Sequence, residues 1–252
     1  MSAMSGTYDR IARFYDVDMA RNMPFDDVAF YRDVCRRKAG RALELGCGTG
    51  RILLGLLAAG VDAIGVDASD GMLQELVRRA REQSLPAPAC RMDARALAFR
   101  RAFDAILLPY SLVTYITADD DLVRTFAGLR AVLNPGGLLV VDAFIPRTVV
   151  GRPEFTLDYR RAFGDHVLAR WKRITPLGPR QNRIERRYEV LDAADHVLES
   201  FDVAEEIRPF TPDELGALVD TNGFSVDETW WDYTLRTRPA AAQFFTVVAH
   251  AR

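Results

Sequence analysis

The sequence predicts an α/β fold: a doubly wound, mostly parallel sheet that carries an antiparallel β insertion. Three observations lead there. Between residues 41 and 143, short apolar runs alternate with helical patterns, as parallel strands joined by crossover helices require. A glycine-rich turn, "GCGTG" at 46–50, lies between the first apolar run and the first helical one. From 155 to 207 the pattern changes to period two, with turn formers between the stretches, which is the mark of antiparallel strands.

Each element follows in order. "RALELG" reads as a buried strand, and "RILLGLLAAG" as a helix ending near Gly60. "VDAIGVD" is a second strand and "SDGMLQELVRRAREQ" a second helix, while "PAPACRMDA" contains a short third strand. "FDAILLPY" is a fourth strand. The helix over 118–133 takes Thr117 as its cap, with Asp120 three residues on, and Asn134-Pro135-Gly136-Gly137 stops it before a fifth strand, "GGLLVVDAF". "HVLARWKRI", "RIERRYEVL" and "HVLESFDVAEEI" are the antiparallel stretches. In "TPDELGALVDTNGF", Thr211 and Glu214 form a capping box, Pro212 suits the first turn and Gly223 the C-terminal cap. "FSVDETWWDY" and "AQFFTVVAHAR" are two last strands. The expected layout is one domain: an N-terminal helical lid (1–40), a core (41–146), an antiparallel flap (147–208) and a closing helix with two strands (209–252).

The bulk properties exclude several classes. The 252 residues are 49% hydrophobic and 27% charged with a net charge of −2, ordinary values for a globular chain with no global attraction for nucleic acid or an anionic membrane. Cys35, Cys47 and Cys90 match no zinc or disulfide spacing, so no metal site is expected. No apolar run reaches the length of a spanning helix, and "MSAMSGTYDR" has no apolar signal region, so the expectation is a soluble cytoplasmic protein. Monomer and homodimer stay equally open.

In such a sheet, ligands gather at the carboxyl ends of the strands. Backbone can approach a ligand closely where no Cβ intervenes, and the helix N-terminus offers unpaired N–H groups. The glycines here are Gly46, Gly48 and Gly50, and the position where a dinucleotide loop needs its last glycine is Arg51. A bulky residue there argues against a pyrophosphate site, and no G-K-[ST] follows, which excludes a P-loop.

"LELGCGTG" resembles the first motif of the class I S-adenosylmethionine-dependent methyltransferases of small-molecule type. The resemblance extends to "GVDAS", "RMDA", "LNPGG" and, upstream, "YDRIARFYD". It implies a seven-stranded sheet with one antiparallel strand, and S-adenosyl-L-methionine as methyl donor. It implies donor contacts from Tyr8 and Tyr15 of the lid, from Gly46, Cys47, Gly48 and Gly50, and from Ala68 and Ala94. It gives Asp67 the ribose hydroxyls, Asp93 the adenine amino group and Glu44 the methionyl amino group, with Met72 and Leu108 either sandwiching the adenine or packing in the core. A carboxylate is acceptor-only and takes two hydroxyl protons, so Asp67 suits a diol; its competing role as helix cap falls equally well to Ser69 or Asp70.

The acceptor is less legible. Methyl transfer from a sulfonium needs alignment and water exclusion more than a strong base. Leu108-Pro109-Tyr110 lacks the Asn or Asp that family members acting on amide or base nitrogens often carry, which lowers the expectation of nucleobase methylation. Tyr110, Ser111 and Tyr115 are candidates to line the transfer site, and His166 is a candidate base. Phe155, Tyr159, Phe163, Trp171, Tyr188 and Phe201 form either an aromatic cavity or an apolar layer under the flap. Residues 160–187 hold nine Arg or Lys and two acids, while 189–206 hold seven acids and no Arg or Lys. Pairing between neighbouring strands explains both blocks, RNA binding only one; an anionic acceptor held by Arg160, Arg161 or Arg170 is a third reading. The function expected is methylation of N, O or C on a small organic acceptor of secondary metabolism; a donor-binding cyclase or sensor and an RNA methyltransferase are the alternatives.

Overall fold

In the computed structural model, residues 3–38, 40–149, 151 and 153–252 are described. Three helices come first: α1 (Ala3–Ile11), α2 (Tyr15–Asn22) and α3 (Asp27–Arg36), the last capped by the Asp26 carboxylate on the Ala29 N–H. The alternating part follows as β1 (Ala42–Leu45), α4 (Arg51–Ala58), β2 (Ala63–Asp67), α5 (Asp70–Glu82), β3 (Ala89–Arg91), β4 (Phe103–Leu108), α6 (Asp119–Val132) and β5 (Leu133–Phe144). The insertion contributes β6 (Thr156–Phe163), β7 (His166–Gly178), β8 (Gln181–Leu191) and β9 (Val197–Ile207). The chain closes with α7 (Pro212–Thr221), β10 (Phe224–Trp231) and β11 (Phe244–Ala251).

Seven strands form one sheet in the order β10-β11-β5-β4-β1-β2-β3. β1 to β5 pair in parallel, and β11 runs antiparallel between β5 and β10, as the resemblance implied. Both faces are covered, which is why these strands read as continuous apolar runs. Leu43, Leu45, Ile106, Leu108, Leu139 and Val141 face α6 and α7, packing with Phe126, Leu129, Leu215 and Val219. The intervening Ala42, Ala105, Leu107, Leu138 and Val140 face the other way, against Tyr31 and Val34 of α3, Ile52 and Leu53 of α4, and Leu76 of α5. Each large apolar side chain buried in this way contributes about 1.5–3 kcal/mol.

The insertion is a meander, β6-β7-β8-β9, every neighbour antiparallel. Its inward face meets the N-terminal helices: Phe14 stacks on Tyr188 and Phe201, with Ile11, Leu168, Val190 and Val203 around them. Of the six aromatics considered for the acceptor, Tyr159, Phe163, Tyr188 and Phe201 belong to this apolar layer, Phe155 lies under the Arg173 and Arg187 guanidinium groups, Trp171 donates to Glu189, and none of the six lines the crevice described below. The two charge blocks pair across strands, as in Arg183–Glu206 and Arg187–Asp202.

Two helix boundaries differ from expectation. The N-cap of α6 is Ala118, with no side-chain cap; Asp119, Asp120 and Asp121 fill the first turn, where the helix dipole favours anions. That helix yields to β5 at Leu133, which already pairs with Phe103, so the Asn134–Gly137 stretch lies within the strand where its register shifts. The capping box at Thr211 and Glu214 is present, with Pro212 opening α7 and Gly223 just past its end at φ +88°.

Candidate active site

β1 and β4 are neighbours, and the chain runs outward from them in opposite directions. Their carboxyl ends therefore frame the crevice where such sheets bind ligands. A cavity of about 460 Å³ occupies it, within the range of small-molecule sites. It is walled by the loops after β1, β2, β3 and β4, by α1 and α2, and by β8 and β9 of the flap.

The loop after β1 turns on left-handed glycines. At Gly48 (φ +55°) an added Cβ would meet only the Tyr15 ring, at 3.8 Å, and the Gly46 carbonyl, at 4.0 Å, so this backbone borders open cavity. Gly50 (φ +82°) has a different use. It is the N-cap of α4, and a Cβ there would strike Leu76 Cγ at 2.8 Å, so it lets α4 and α5 approach and does not itself line the cavity. Arg51, which stands where a dinucleotide loop needs glycine, reaches the cavity wall and is held in a two-pronged pair with buried Asp27, at 2.5 and 2.7 Å.

Asp67 ends β2 beside this loop. Its Oδ2 accepts from the Gly48 N–H and its Oδ1 from the Ser69 N–H, both at 2.8 Å. Burial pushes its pKa above the ordinary carboxylate value, against those backbone donors. Ser69 caps α5 through the Met72 N–H, so Asp67 is free of that duty. Glu44, near the end of β1, is 2% exposed, and no donor among the described residues reaches its Oε2. Burial raises its pKa well above the usual range. Asp93 also lines the cavity, but both its oxygens accept from the Arg95 guanidinium, which holds its pKa low. Ala68, Met72, Cys47 and Ala94 line the cavity with them; Leu108 does not, because it points to the α6 face of the sheet, and Met92, Leu112 and Ile116 supply apolar wall instead.

The N-terminal helices are pinned over this floor by their acids. Asp9 accepts from the Ser69 hydroxyl (2.6 Å) and the Gly71 N–H (2.8 Å), which sets Tyr8 in the wall. Asp16 accepts from the Thr49 hydroxyl (2.7 Å) and from Arg79 (2.9 Å), which sets Tyr15 there.

At the end of β4, Pro109 and Tyr110 face the cavity, and Tyr110 and Ser111 both adopt left-handed backbone (φ +51° and +62°). Buried Asp142 on β5 fixes that strained turn. It accepts from the N–H groups of Tyr110 (2.9 Å) and Ser111 (2.6 Å) and from the hydroxyls of Tyr31 (2.5 Å) and Tyr233 (2.7 Å). The Ser111 hydroxyl is turned away and accepts from the Phe144 N–H. Tyr115 lines the cavity too. Burial raises the phenol pKa of Tyr110 to about 12 and pushes that of Tyr115 up, so both are hydrogen-bonding groups and not phenolates near neutral pH.

His166 lies at the β6–β7 turn on an exposed position, away from the cavity, and is not placed to act as a base there. Arg160, Arg161 and Arg170 are likewise outside the cavity and engaged elsewhere: Arg160 with Asp195, Arg161 with the Val17 and Asp18 carbonyls, Arg170 with Asp18 and Asp158. The flap's own contribution was not anticipated: Arg183, Ala204, Glu205 and Glu206 line the cavity. One signal was available, since the inward row Phe201, Val203, Glu205, Ile207 puts a glutamate in an otherwise apolar series.

Fold and site together define a doubly wound α/β domain with a ligand-sized crevice, bordered by open glycine backbone, at the carboxyl ends of its parallel strands. Residues 42–137 match the family model described as a methyltransferase domain. Among curated proteins, the chain is 29% identical over 136 residues to the putative methyltransferase YqeM of Bacillus subtilis, covering 54% of each chain. It is 25% identical over 222 residues to the glycine/sarcosine N-methyltransferase of Halorhodospira halochloris, covering 87% of this chain and 78% of that one. The match to YqeM thus spans about half of that relative's length. Among solved structures, S-adenosylmethionine-bound CalS10, an amino pentose methyltransferase from Micromonospora echinaspora, aligns with a TM-score of 0.67 and 26% identity over 90% of this chain and 91% of that one. Residues 42–137 thus carry a methyltransferase domain, and the fold around them is similar to that of S-adenosylmethionine-dependent methyltransferases.

Proposed function

We propose that the protein methylates a nitrogen of a small organic acceptor in secondary metabolism, with S-adenosylmethionine as donor. The observation that carries the reading is the convergence of Gly48, Asp67 and Glu44 on one cavity. An open backbone lets a thioether or sulfonium lie close, a buried two-oxygen acceptor suits a ribose diol, and a buried carboxylate oxygen without a donor suits an ammonium. Asp67 holds the sugar in this reading, Glu44 faces the amino group from below, and Met72, Met92 and Leu112 flank the base with Asp93 at its edge. When bound, the donor supplies an already activated methyl group. The chain's part is then to orient the acceptor and exclude water, which Tyr8, Tyr15 and the flap are placed to do. Nitrogen as the attacking atom draws support from the names of two relatives, a glycine/sarcosine N-methyltransferase and an amino pentose methyltransferase.

Calorimetry with S-adenosylhomocysteine tests the donor site. Asp67→Ala is expected to weaken binding at least tenfold, about 1.4 kcal/mol, with its folding checked by circular dichroism. Binding equal to wild type would remove the site assignment. A labelled-methyl assay over small amines tests the chemistry; tight donor binding with no transfer to any of them would favour a non-methylating protein.

A further inference from the structure

Along β8 and β9 the inward face of the flap carries a charged pair in an apolar setting. Along β8 that face reads Ile184, Arg186, Tyr188, Val190, and along β9 Phe201, Val203, Glu205, Ile207. Arg186 bonds Glu205 Oε2, and the Glu205 side chain is 0% exposed. Other cross-strand pairs of the same sheet, Arg183–Glu206 and Arg187–Asp202, stand 41–51% exposed. An exposed pair costs and contributes little, whereas a buried pair carries a desolvation penalty that well-packed apolar residues would avoid.

Glu205 is also unfinished. No donor among the described residues reaches its Oε1, although the residue forms part of the cavity wall. The Tyr115 hydroxyl oxygen beside it accepts from Tyr8 and from Arg186. Arg186 is thereby fixed from two sides and fixes Glu205 in turn. A buried acceptor left without a donor costs about 1–3 kcal/mol, and a ligand entering the flap side of the cavity is what would supply one.

We propose that Glu205 Oε1 is the binding point for the acceptor's amino group, and that it makes the site prefer an amine to the corresponding alcohol. The inference rests on the small-acceptor reading above. An ammonium offers the carboxylate a charge-assisted hydrogen bond, roughly twice as strong as the neutral bond a hydroxyl makes. The floor acids Glu44, Asp67 and Asp93 lie in or just after β1, β2 and β3 of the large sheet, so Glu205 is the buried acid on the flap side of the cavity among the described residues.

The test is a binding measurement. Full-length protein saturated with S-adenosylhomocysteine is titrated with cyclohexylamine against cyclohexanol, and with glucosamine against glucose. At least one amine is expected to bind tenfold or more tightly than its alcohol. Glu205→Gln should erase that preference while homocysteine-product affinity stays within twofold. The double variant Arg186→Met/Glu205→Leu replaces the pair by apolar residues, guards against a misfolded single variant, and should erase the preference too. Wild-type protein that binds amine and alcohol alike, or variants that keep the preference, would overturn the proposal. Selective amine binding without methyl transfer would instead remove the methyl-transfer reading and leave the role of Glu205 standing.

Discussion

Glu44 ties the site's electrostatics to a measurable proton. Its carboxyl is buried, and burial holds its pKa well above the ordinary value. In the folded protein without ligand, the stability it contributes is fully present below the unfolded pKa of about 4.3 and is lost as pH rises through the raised folded value. A ligand ammonium favours the ionised form, so binding reverses the shift. S-adenosylhomocysteine affinity should therefore rise with pH up to that raised pKa and flatten above it, with up to one proton released per binding event below it. Titrations in buffers of different ionisation heat read the proton directly; Glu44→Gln should release none and bind about tenfold more weakly. At this scale the grouping of the candidate donor residues around one cavity was legible in the sequence. Gly48, Asp67 and Tyr15 sit where local motifs and strand ends put them. Leu108 was not, because one residue of strand phase decides which face of the sheet it joins, and it falls on the α6 side. Arg183 and Glu205 were missed because they reach the cavity through the register and docking of a separate sheet, which no local pattern encodes.

The elements show the same division. Strand and helix order followed from periodicity, and the α7 cap from its capping box, since both are local signals. How the flap sits on the core depends on a buried cluster between distant segments: Asp18 of α2 pairs with Arg170 of β7 (2.9 Å) and accepts from the Tyr188 hydroxyl of β8 (2.7 Å), while Arg170 also holds Asp158 of β6. The side chains of Arg170 and Asp18 are 8% and 5% exposed. Removing the guanidinium leaves a buried carboxylate without its cation, so Arg170→Met should cost about 3–5 kcal/mol at neutral pH. Burial raises the Asp18 pKa even with Arg170 present, so the loss should shrink in acid as that carboxyl takes a proton. Arg187→Met, which breaks a solvent-screened pair of the same sheet, should cost no more than about 1 kcal/mol. Urea unfolding of the two variants makes the comparison, and equal losses would mean that the cluster does not join flap to lid.

Across the whole molecule, three acids within ten residues hold the N-terminal helices against three different parts of the structure. Asp9 reaches the start of α5, Asp16 the glycine loop and Arg79, and Asp18 the flap. The segment between them carries Tyr8 and Tyr15 into the cavity wall and Phe14 into the layer beneath the flap. The cavity is therefore closed by a piece of chain that has little core of its own and is placed by anchors at its rim. Segments of that kind open at lower free energy than the sheet they cover. A ligand that touches both the floor and the tyrosines binds only the closed arrangement, so it stabilises closure by mass action. Hydrogen exchange should accordingly slow in residues 6–19 when S-adenosylhomocysteine is added, with much smaller change in β10 and β11 at the far edge of the sheet. Asp9→Ala/Asp16→Ala should cut both anchors over the floor and leave the Asp18 cluster intact. It should lower ligand affinity about tenfold and remove most of the exchange protection while the urea midpoint moves little. Protection retained in that variant would mean that the tyrosines hold the helices by themselves, and that the acids do not set the lid.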